Sequence, residues 1–425
     1  MAAPAADIVV CGGGVAGCMA AVAAARAGAR VTLVERYGFL GGNATAGAVA
    51  QFNSWQTAAG RRVVAGLADE VVDRLRHIGG AQPHEVFTMS TGHLMDRVVY
   101  APELLKRVLD QMLVEAGVTP LLHAQLAGVQ VQGRRVQALE VLCKSGVLTL
   151  PLSLLVDASG DLDALQRAGA AFLPLDEGEA LQPATMMFRF GPVDFLRFDA
   201  IPDEQRAALA KRGHAQGDLA RAALTMARDP GSDDAWFNIS RLALDATDAW
   251  ALSRAEMTGR DQAWRAAQYL QREVPGCERG RLRAFGTQVG IRETRRVQGE
   301  HVLTADELLQ PVHFADAVAA GAYPIDIHPA QGGGLSYQEL GPDHSYQIPW
   351  RCLLPVALDN ALVVGRGVSA THAAQAAIRV MTISMAVGHA AGLGAAQAVQ
   401  SGQALRALDM ATLQAALQAQ GAVMA

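Results

Sequence analysis

Residues 8–43 read IVVCGGGVAGCMAAVAAARAGARVTLVERYGFLGGN. A short apolar run, Ile8 to Val10, meets Gly12-x-Gly14-x-x-Gly17. An alanine-rich stretch of helical character follows and Gly28 ends it. A second apolar run spans Val31 to Val34, and Glu35 comes directly after. This is the order strand, glycine turn, helix, strand, acid that a dinucleotide site requires. Gly12 permits the tight turn, Gly14 lets backbone approach a pyrophosphate, and Gly17 lets helix pack on strand. The pyrophosphate then meets the unsatisfied N–H groups of a helix start at Val15 and Ala16, where the dipole favours its charge. Glu35 stands where a carboxylate accepts hydrogen bonds from ribose hydroxyls. Glycines also mark ordinary turns, but here the flanking strand, helix and acid agree.

The continuation separates NAD from FAD. After Glu35 come Arg36-Tyr37-Gly38-Phe39-Leu40-Gly41-Gly42-Asn43-Ala44-Thr45. A simple dehydrogenase goes on to another βα unit; here a second glycine pair follows the acid. FAD extends further than NAD, because a ribityl chain and isoalloxazine run on past the pyrophosphate. Gly41 and Gly42 let backbone lie close against that extension, with Arg36, Asn43, Ala44 and Thr45 as neighbouring contacts.

On these residues the chain resembles the glutathione-reductase-like superfamily of FAD proteins. Within it, the chain is similar to the family called FAD-dependent oxidoreductase, some members of which carry a xanthan-lyase-associated label. The segments that carry the likeness are GGGVAGCMAA near the N-terminus, ERYGFLGGNATAG at 35–47 and LVDASGDLDAL at 155–165. Further on come GIRETRRVQGEHVLT at 290–304, YPIDIH at 323–328, IPWRCLLP at 348–355 and ALVVGRGVSATHAAQAAIRVMTISMAVGHAAG at 361–392. The N-terminal motif is common to many flavoproteins, whereas the segments from 290 onward are more specific. Only about 195–285 falls outside the likeness.

The chain has 425 residues and a formal net charge of −5, enough for two or three domains and without a basic surface that would advertise nucleic acid. The N-terminal MAAPAAD lacks a basic region, so no secretory leader is expected. Val380 to Val399 is uncharged but contains Thr382, Ser384, His389 and Gln397, and reads as a buried helix rather than a membrane span. The five cysteines are scattered without a CxxC pair, which argues against a disulfide framework, a zinc site or a thiol–disulfide reductase. A cytoplasmic location fits.

The expected fold class is α/β: a Rossmann-like FAD-binding domain with a parallel sheet and a β-meander, plus an inserted α+β substrate domain. We expect residues 1–169 to form the first part of the FAD domain, 170–340 the substrate domain and 341–425 the return to the FAD domain. The spacing predicts helices at 65–77 and Pro102–Gly117, and a loop-like stretch at Gly79–Gly92. Strands are expected at Val118–Leu122, Ala127–Val131, Val136–Leu142 and Leu152–Val156, of which the middle two resemble the meander of the superfamily. The substrate domain is expected to hold a strand at Thr185–Phe190 and a long helical region over 203–272, broken at Asp229-Pro230-Gly231. After it come an extended stretch at 284–303 and a capping box at Thr304–Glu307. A strand at Ala361–Val364 and a helix from Val380 close the chain.

Further cofactor candidates follow. Ser159, Gly160 and Asp161 sit between a strand and a helix, where Gly160 lets backbone approach phosphates and Ser159 or Asp161 caps the helix; capping alone is the alternative. The resemblance places this turn beside the first glycine loop. It also implies that Gly365 and Arg366 lie along the ribityl-pyrophosphate, with Arg366 pairing a phosphate. It implies further that Arg379, Val380 and Met381 open a helix aimed at the flavin edge, and that Leu126 is a cofactor contact. An ordinary surface ion pair is the alternative for Arg379.

On the substrate side, Arg292, Arg295 and Arg296 alternate with Glu293. They read as an anion clamp for a carboxylate-bearing substrate, as support for the flavin edge, or as a solvated ion-pair face. His328, His344 and His372 sit in motif-like contexts, and any of them is suited to take a proton as hydride leaves for flavin N5; structural satisfaction is the alternative for each. With Arg292 they are the catalytic candidates, and no metal site is expected.

The expected function is an FAD-dependent oxidoreductase, a dehydrogenase or oxidase, that moves a hydride between a small organic substrate and flavin N5. FAD is expected to be held non-covalently. The electron acceptor, O2, a quinone or a reductase, stays open. Alternatives are a flavin-dependent monooxygenase or halogenase, and an electron-transfer subunit whose apolar C-terminal stretch, Leu405 to Met424, offers a docking face. A homodimer is a further partner expectation; nucleic acid and a membrane span are not expected.

Overall fold

The computed structural model describes residues 6–88, 94–329 and 336–424. Five short strands form a parallel sheet: β1 (Ile8–Cys11), β2 (Val31–Val34), β3 (Thr119–Leu121), β4 (Leu154–Asp157) and β5 (Ala361–Val363). Their spatial order is β5-β4-β1-β2-β3. The chain therefore works outward from β1 to one edge and then crosses back to β4, so the topological switch lies between β1 and β4. In such sheets the ligand crevice opens outside the carboxyl ends of the strands at that point. The turns after β1, β4 and β5 are the glycine segments 12–14, 158–160 and 365–367.

Strand periodicity divides the sheet between two cores. Ile8, Val10, Leu33, Leu154, Val156 and Leu362 face a core shared with helix α1 (Val15–Arg26) and the helix Pro102–Ala116. Val9, Cys11, Val34, Leu155, Ala361 and Val363 face the opposite side. There an antiparallel meander of Gln125–Gln132, Arg135–Cys143 and Gly146–Pro151 covers them. Runs buried on both faces read as near-continuous apolar segments, as β1, β2, β4 and β5 do.

Two helices near the C-terminus complete the first layer: α2 (His372–Ile378) and α3 (Met381–Ser401), which meet at 90°. α3 packs on α1 backbone to backbone. A β-carbon on Gly388 would lie 2.1 Å from the Ala16 carbonyl oxygen, and one on Gly392 would lie 2.1 Å from that of Ala20. Only glycine permits this approach. Among the described residues no single helix is long and apolar enough to cross a membrane.

A four-stranded antiparallel sheet has its own core. Its order is Met226–Arg228, Ala235–Phe237, Phe188–Gly191, Arg281–Phe285, and Phe188, Phe190 and Phe237 share a core with Tyr269 and Leu270 of the helix Ala249–Glu273. The long helical region expected over 203–272 is thus corrected. The helix Asp203–Ala215 ends, a β-hairpin turns at Asp229-Pro230-Gly231, and a second helix begins at Ala249. The hairpin is locked by Arg189, which pairs with Asp229 at 2.8 Å and Asp234 at 2.9 Å.

Other expectations shift in smaller ways. Within the stretch expected as loop, Glu85–Thr88 pairs with Leu94–Val99, which in turn pairs with Gln51–Asn53; residues 89–92 lie outside the described residues. The stretch after Phe285 is not a strand but bridges singly to separate neighbours, Thr185 with Gly290, Phe172 with Val297 and Leu303 with Ala370. Residues 303–325, expected with the substrate domain, place Leu303, Leu308, Val318 and Ile325 in the first core. The capping box forms as read: the Thr304 hydroxyl takes the Glu307 N–H while Glu307 takes the Thr304 N–H. The apolar C-terminal stretch is no free face, since Leu405, Leu408, Leu413 and Leu417 are buried in the first core.

Candidate active site

The two glycine loops are joined. Gly14 and Gly41 form a parallel β-bridge, and the Gly41 N–H donates to the Gly13 carbonyl at 2.7 Å. Gly12 has φ +110°, and a β-carbon on it would strike the Ala158 carbonyl oxygen at 2.3 Å, so the first loop lies directly on the turn after β4. A β-carbon on Gly17 would meet the Gly12 carbonyl oxygen at 2.0 Å, which is the close packing of helix on strand that the motif demands. Gly14, by contrast, has open space where its β-carbon would stand, and as the N-cap of α1 it provides no side chain to its N–H groups. The loop is tight where it packs and open where a pyrophosphate would approach.

Glu35 is buried and braces this loop. Its Oε2 accepts the Gly13 N–H at 2.7 Å and its Oε1 accepts the Tyr37 N–H at 3.0 Å. The second loop is fastened in its turn: the Thr45 hydroxyl donates to the Leu40 carbonyl, and the Tyr100 hydroxyl donates to the carbonyls of Ala44 and Val49. Asn43 reaches across to the Ile291 carbonyl at 2.7 Å, and Arg36 to the Gln288 side chain at 2.7 Å. Leu126 is buried in the core under the meander, beside Val9 and Val34.

The turn after β4 is organised by Asp157, a residue that the sequence reading did not single out. Fully buried, it takes the N–H and hydroxyl of Ser159 and, through Oδ2, the Leu165 N–H of the next short helix. Ser159 accepts the Asp163 N–H at 2.8 Å, so the capping reading of Ser159 describes what its hydroxyl does. Asp161 points the other way and pairs with Arg366 at 2.6 Å. Burial would raise the Asp161 carboxyl, but the Arg366 charge and hydrogen bond, with the Thr294 hydroxyl, hold it below its ordinary value. Arg366 lies over Gly160, where a β-carbon would come within 2.8 Å of the guanidinium carbon.

At Arg379–Val380 the chain breaks between α2 and α3. Val380, extended at ψ 149°, caps α3 without a side-chain acceptor, so this helix start offers N–H groups and its dipole inside the protein. The Nε atoms of Arg366 and Arg379 are buried without a hydrogen-bond partner among the described residues. Two uncapped helix starts, two joined glycine loops, the buried Glu35 carboxylate and two guanidinium groups with an unpartnered Nε are donors and acceptors of the kind that fit the phosphates and ribose of FAD.

Beside the α3 start lies a second cluster. Arg292, buried by its neighbours, donates from Nη1 to the Pro183 carbonyl and the Thr185 hydroxyl. Arg379 donates to Gln182 Oε1 at 3.2 Å, and the His328 N–H reaches the same oxygen at 3.5 Å. Asp326 Oδ2 accepts the Tyr323 hydroxyl at 3.1 Å and lies 3.3 Å from His328 Nε2. Burial and then the Arg292 charge pull the His328 ring down to about 4, so it is neutral at pH 7. Burial and the Arg379 charge pull Arg292 down to about 9, still a cation at neutral pH.

The other candidates stand apart from this cluster or behind it. His372 is buried, with Nδ1 2.9 Å from Glu293 Oε1. Glu293 also accepts the Gln182 N–H and lies 3.4 Å from Arg296 Nε. Arg296 itself fixes the Ala370 and Pro174 carbonyls, and Arg295 the Asp161 carbonyl. The arginine run is therefore not a solvated ion-pair face. His344 turns away: its Nε2 is 2.7 Å from the Leu308 carbonyl, and it lines a cavity of about 300 Å³ shared with Ser54, Tyr323 and Tyr337. Gln182, Gln375, Tyr323 and Arg221 were not singled out; Tyr323 and Asp326 lie inside the YPIDIH segment, while nothing in the local sequence marks Gln182 or Arg221.

A family model described as FAD dependent oxidoreductase matches residues 7–417. No curated protein matches the chain. Among solved structures, the chain is similar to a geranylgeranyl bacteriochlorophyll reductase-like protein from Thermoplasma acidophilum. The identity is 12% and the TM-score 0.49, over 98% of this chain and 84% of that one. It is also similar to p-nitrophenol 4-monooxygenase from Pseudomonas putida, at 12% identity and a TM-score of 0.47, over 98% and 84% of the two chains. A flavin-dependent brominase gives 13% identity and a TM-score of 0.49, over 98% and 83%.

Proposed function

The chain belongs to the FAD dependent oxidoreductase family, with FAD as its cofactor, and from that premise we propose that it oxidises or reduces a small organic substrate by hydride transfer. The observation that carries this reading is the position of the Arg292–Arg379–His328 cluster directly beside the uncapped start of α3. When bound, FAD supplies a hydride acceptor at flavin N5 and stores two electrons. We take it to be held non-covalently by Gly12, Gly14, Val15, Ala16, Gly17, Glu35, Gly41, Gly42, Gly160, Arg366 and the 379–381 turn, with the part of 170–340 outside the first core as the substrate cap.

The chain's own residues then have separable tasks. With FAD bound, the α3 start would offer N–H groups and a positive dipole end to the negative charge of reduced flavin. His328 is neutral and tied through Nε2 to Asp326, so its Nδ1 is left to take a proton from the substrate. Gln182 holds Arg379 and the His328 backbone in one frame. His372 acts as a positioning residue behind this layer, through Glu293 and the Gln182 N–H.

The test is a visible spectrum of the FAD-reconstituted protein, followed by anaerobic titration with hydride donors. Bleaching by a small alcohol, amine or acid supports a dehydrogenase or oxidase. Bleaching by NAD(P)H alone favours a monooxygenase, and absence of bound flavin overturns the reading of residues 8–45.

A further inference from the structure

The cluster beside Arg379 carries an unbalanced charge. Arg379 and Arg221 both lie within electrostatic reach of Arg292, and Asp326 is the acid among them. Glu293 does not compensate, because its two oxygens serve Arg296, His372 and the Gln182 N–H. Arg292 and Arg379 instead spend their hydrogen bonds on neutral acceptors, the Pro183 carbonyl, the Thr185 hydroxyl and Gln182 Oε1. Among the described residues neither has a carboxylate at ion-pair distance. Half-buried guanidinium groups without counter-charge carry a desolvation cost, and an anionic ligand offsets it.

Two orphan atoms sharpen the requirement. Arg379 Nε is buried with no acceptor and Asp326 Oδ1 is buried with no donor. Asp326 is close enough to Arg379 to feel its charge, yet the two make no ion pair at 4 Å or less. One missing acceptor and one missing donor in the same cluster call for a ligand that brings both. A carboxylate is the planar anion that guanidinium groups recognise best, and a hydroxyl or amine is the donor that suits a carboxylate oxygen.

Resting on the FAD-oxidoreductase reading above, we propose that this pocket binds a carboxylate bearing a hydroxyl or amino group on the adjacent carbon. Its carboxylate lies against Arg292 and Arg379, and its hydroxyl or amine faces Asp326 Oδ1 and His328. The substrate class is thus a 2-hydroxy or 2-amino acid.

The experiment uses the full FAD-loaded chain. Lactate, malate, alanine and aspartate are titrated anaerobically against the flavin spectrum, beside 1,2-propanediol, which is lactate with its carboxylate replaced. Melting shifts are recorded with the same additions. We expect at least one of the acids to perturb the flavin saturably and raise the melting temperature, and the diol to do neither. Arg292→Met should weaken that acid by at least about tenfold while FAD content stays intact, and Arg292→Lys should restore part of the affinity. Arg379→Met is the second variant, expected to weaken the acid likewise, with its FAD content recorded because Arg379 also stands in the turn taken to hold the cofactor. The proposal is overturned if the diol binds as well as lactate, if Arg292→Met binds the acid as tightly as the parent, or if none of the acids perturbs an intact flavin spectrum. In that last case FAD is still bound and the broader function stands; loss of FAD itself removes both.

Discussion

Gly388 of α3 and Ala16 of α1 touch through backbone: a β-carbon on Gly388 would stand 2.1 Å from the Ala16 carbonyl oxygen. This contact, repeated one turn on by Gly392 and Ala20, ties the helix that opens at the first glycine loop to the helix that opens at Val380. Both helix starts offer N–H groups without side-chain caps, and the two glycines hold the two starts at a fixed separation.

Gly388→Ala should therefore damage both stability and cofactor binding. Overpacking of a tight core costs roughly 1–3 kcal/mol, and a clash with backbone, which cannot change rotamer, belongs at the upper end. Urea denaturation of the FAD-free protein should show a loss of about 3 kcal/mol, and the variant should retain less FAD on gel filtration. A parent-like midpoint would mean the helices separate without penalty.

Glu35→Gln tests the braced loop. The charged oxygen that accepts the Gly13 N–H becomes a weaker amide acceptor, and hydrogen bonds to charged groups contribute roughly 1.5–3 kcal/mol. FAD affinity, read by flavin fluorescence quenching, should fall roughly 10- to 100-fold with little change in the fold. Unchanged affinity would remove Glu35 from the ribose contact.

Arg366→Met leaves Asp161 buried without its cation. Removing one partner of such a pair costs about 3 kcal/mol, whereas removing both is far milder. The double variant Asp161→Asn, Arg366→Met should recover at least half of the loss in urea. If the single and double variants are equally destabilised, Arg366 serves a ligand more than it serves Asp161.

His328 makes stability depend on pH. Its folded value is pulled from 6.5 down to about 4 by burial, then by Arg292, with Asp326 opposing and Arg379 adding to the pull. The unfolded chain therefore binds the proton more readily between those two values. Stability from this group is complete above pH 6.5 and is lost as pH falls toward 4, by up to roughly 3 kcal/mol. His328→Asn should flatten this part of the pH–stability curve. A parent-like slope in the variant would assign the dependence to other groups.

Much of the nucleotide half was legible because its physics is local. A glycine that must turn at φ +110°, a helix that must begin there and a carboxylate at the end of the next strand all lie within one stretch of chain. The same holds for the Thr304–Glu307 capping box, whose two hydrogen bonds join residues three apart. The hairpin at 226–237 was misread because alanine-rich flanks suggest helix, while the pairing with Phe188–Gly191 that makes it a strand comes from elsewhere in the chain.

The sequence by itself determined that this chain builds a strand–glycine–helix–strand–acid cradle and returns to it near residue 361. Only the tertiary structure decided that the neutral ring of His328 and the guanidinium groups of Arg292 and Arg379 meet in one cluster, while His344 lines a cavity elsewhere and His372 is sealed against Glu293. Three histidines in similar local contexts carry no local mark of which neighbours will desolvate or charge them. Those neighbours, Gln182, Asp326 and Glu293, arrive from distant segments, and burial and charge act through space rather than along the chain.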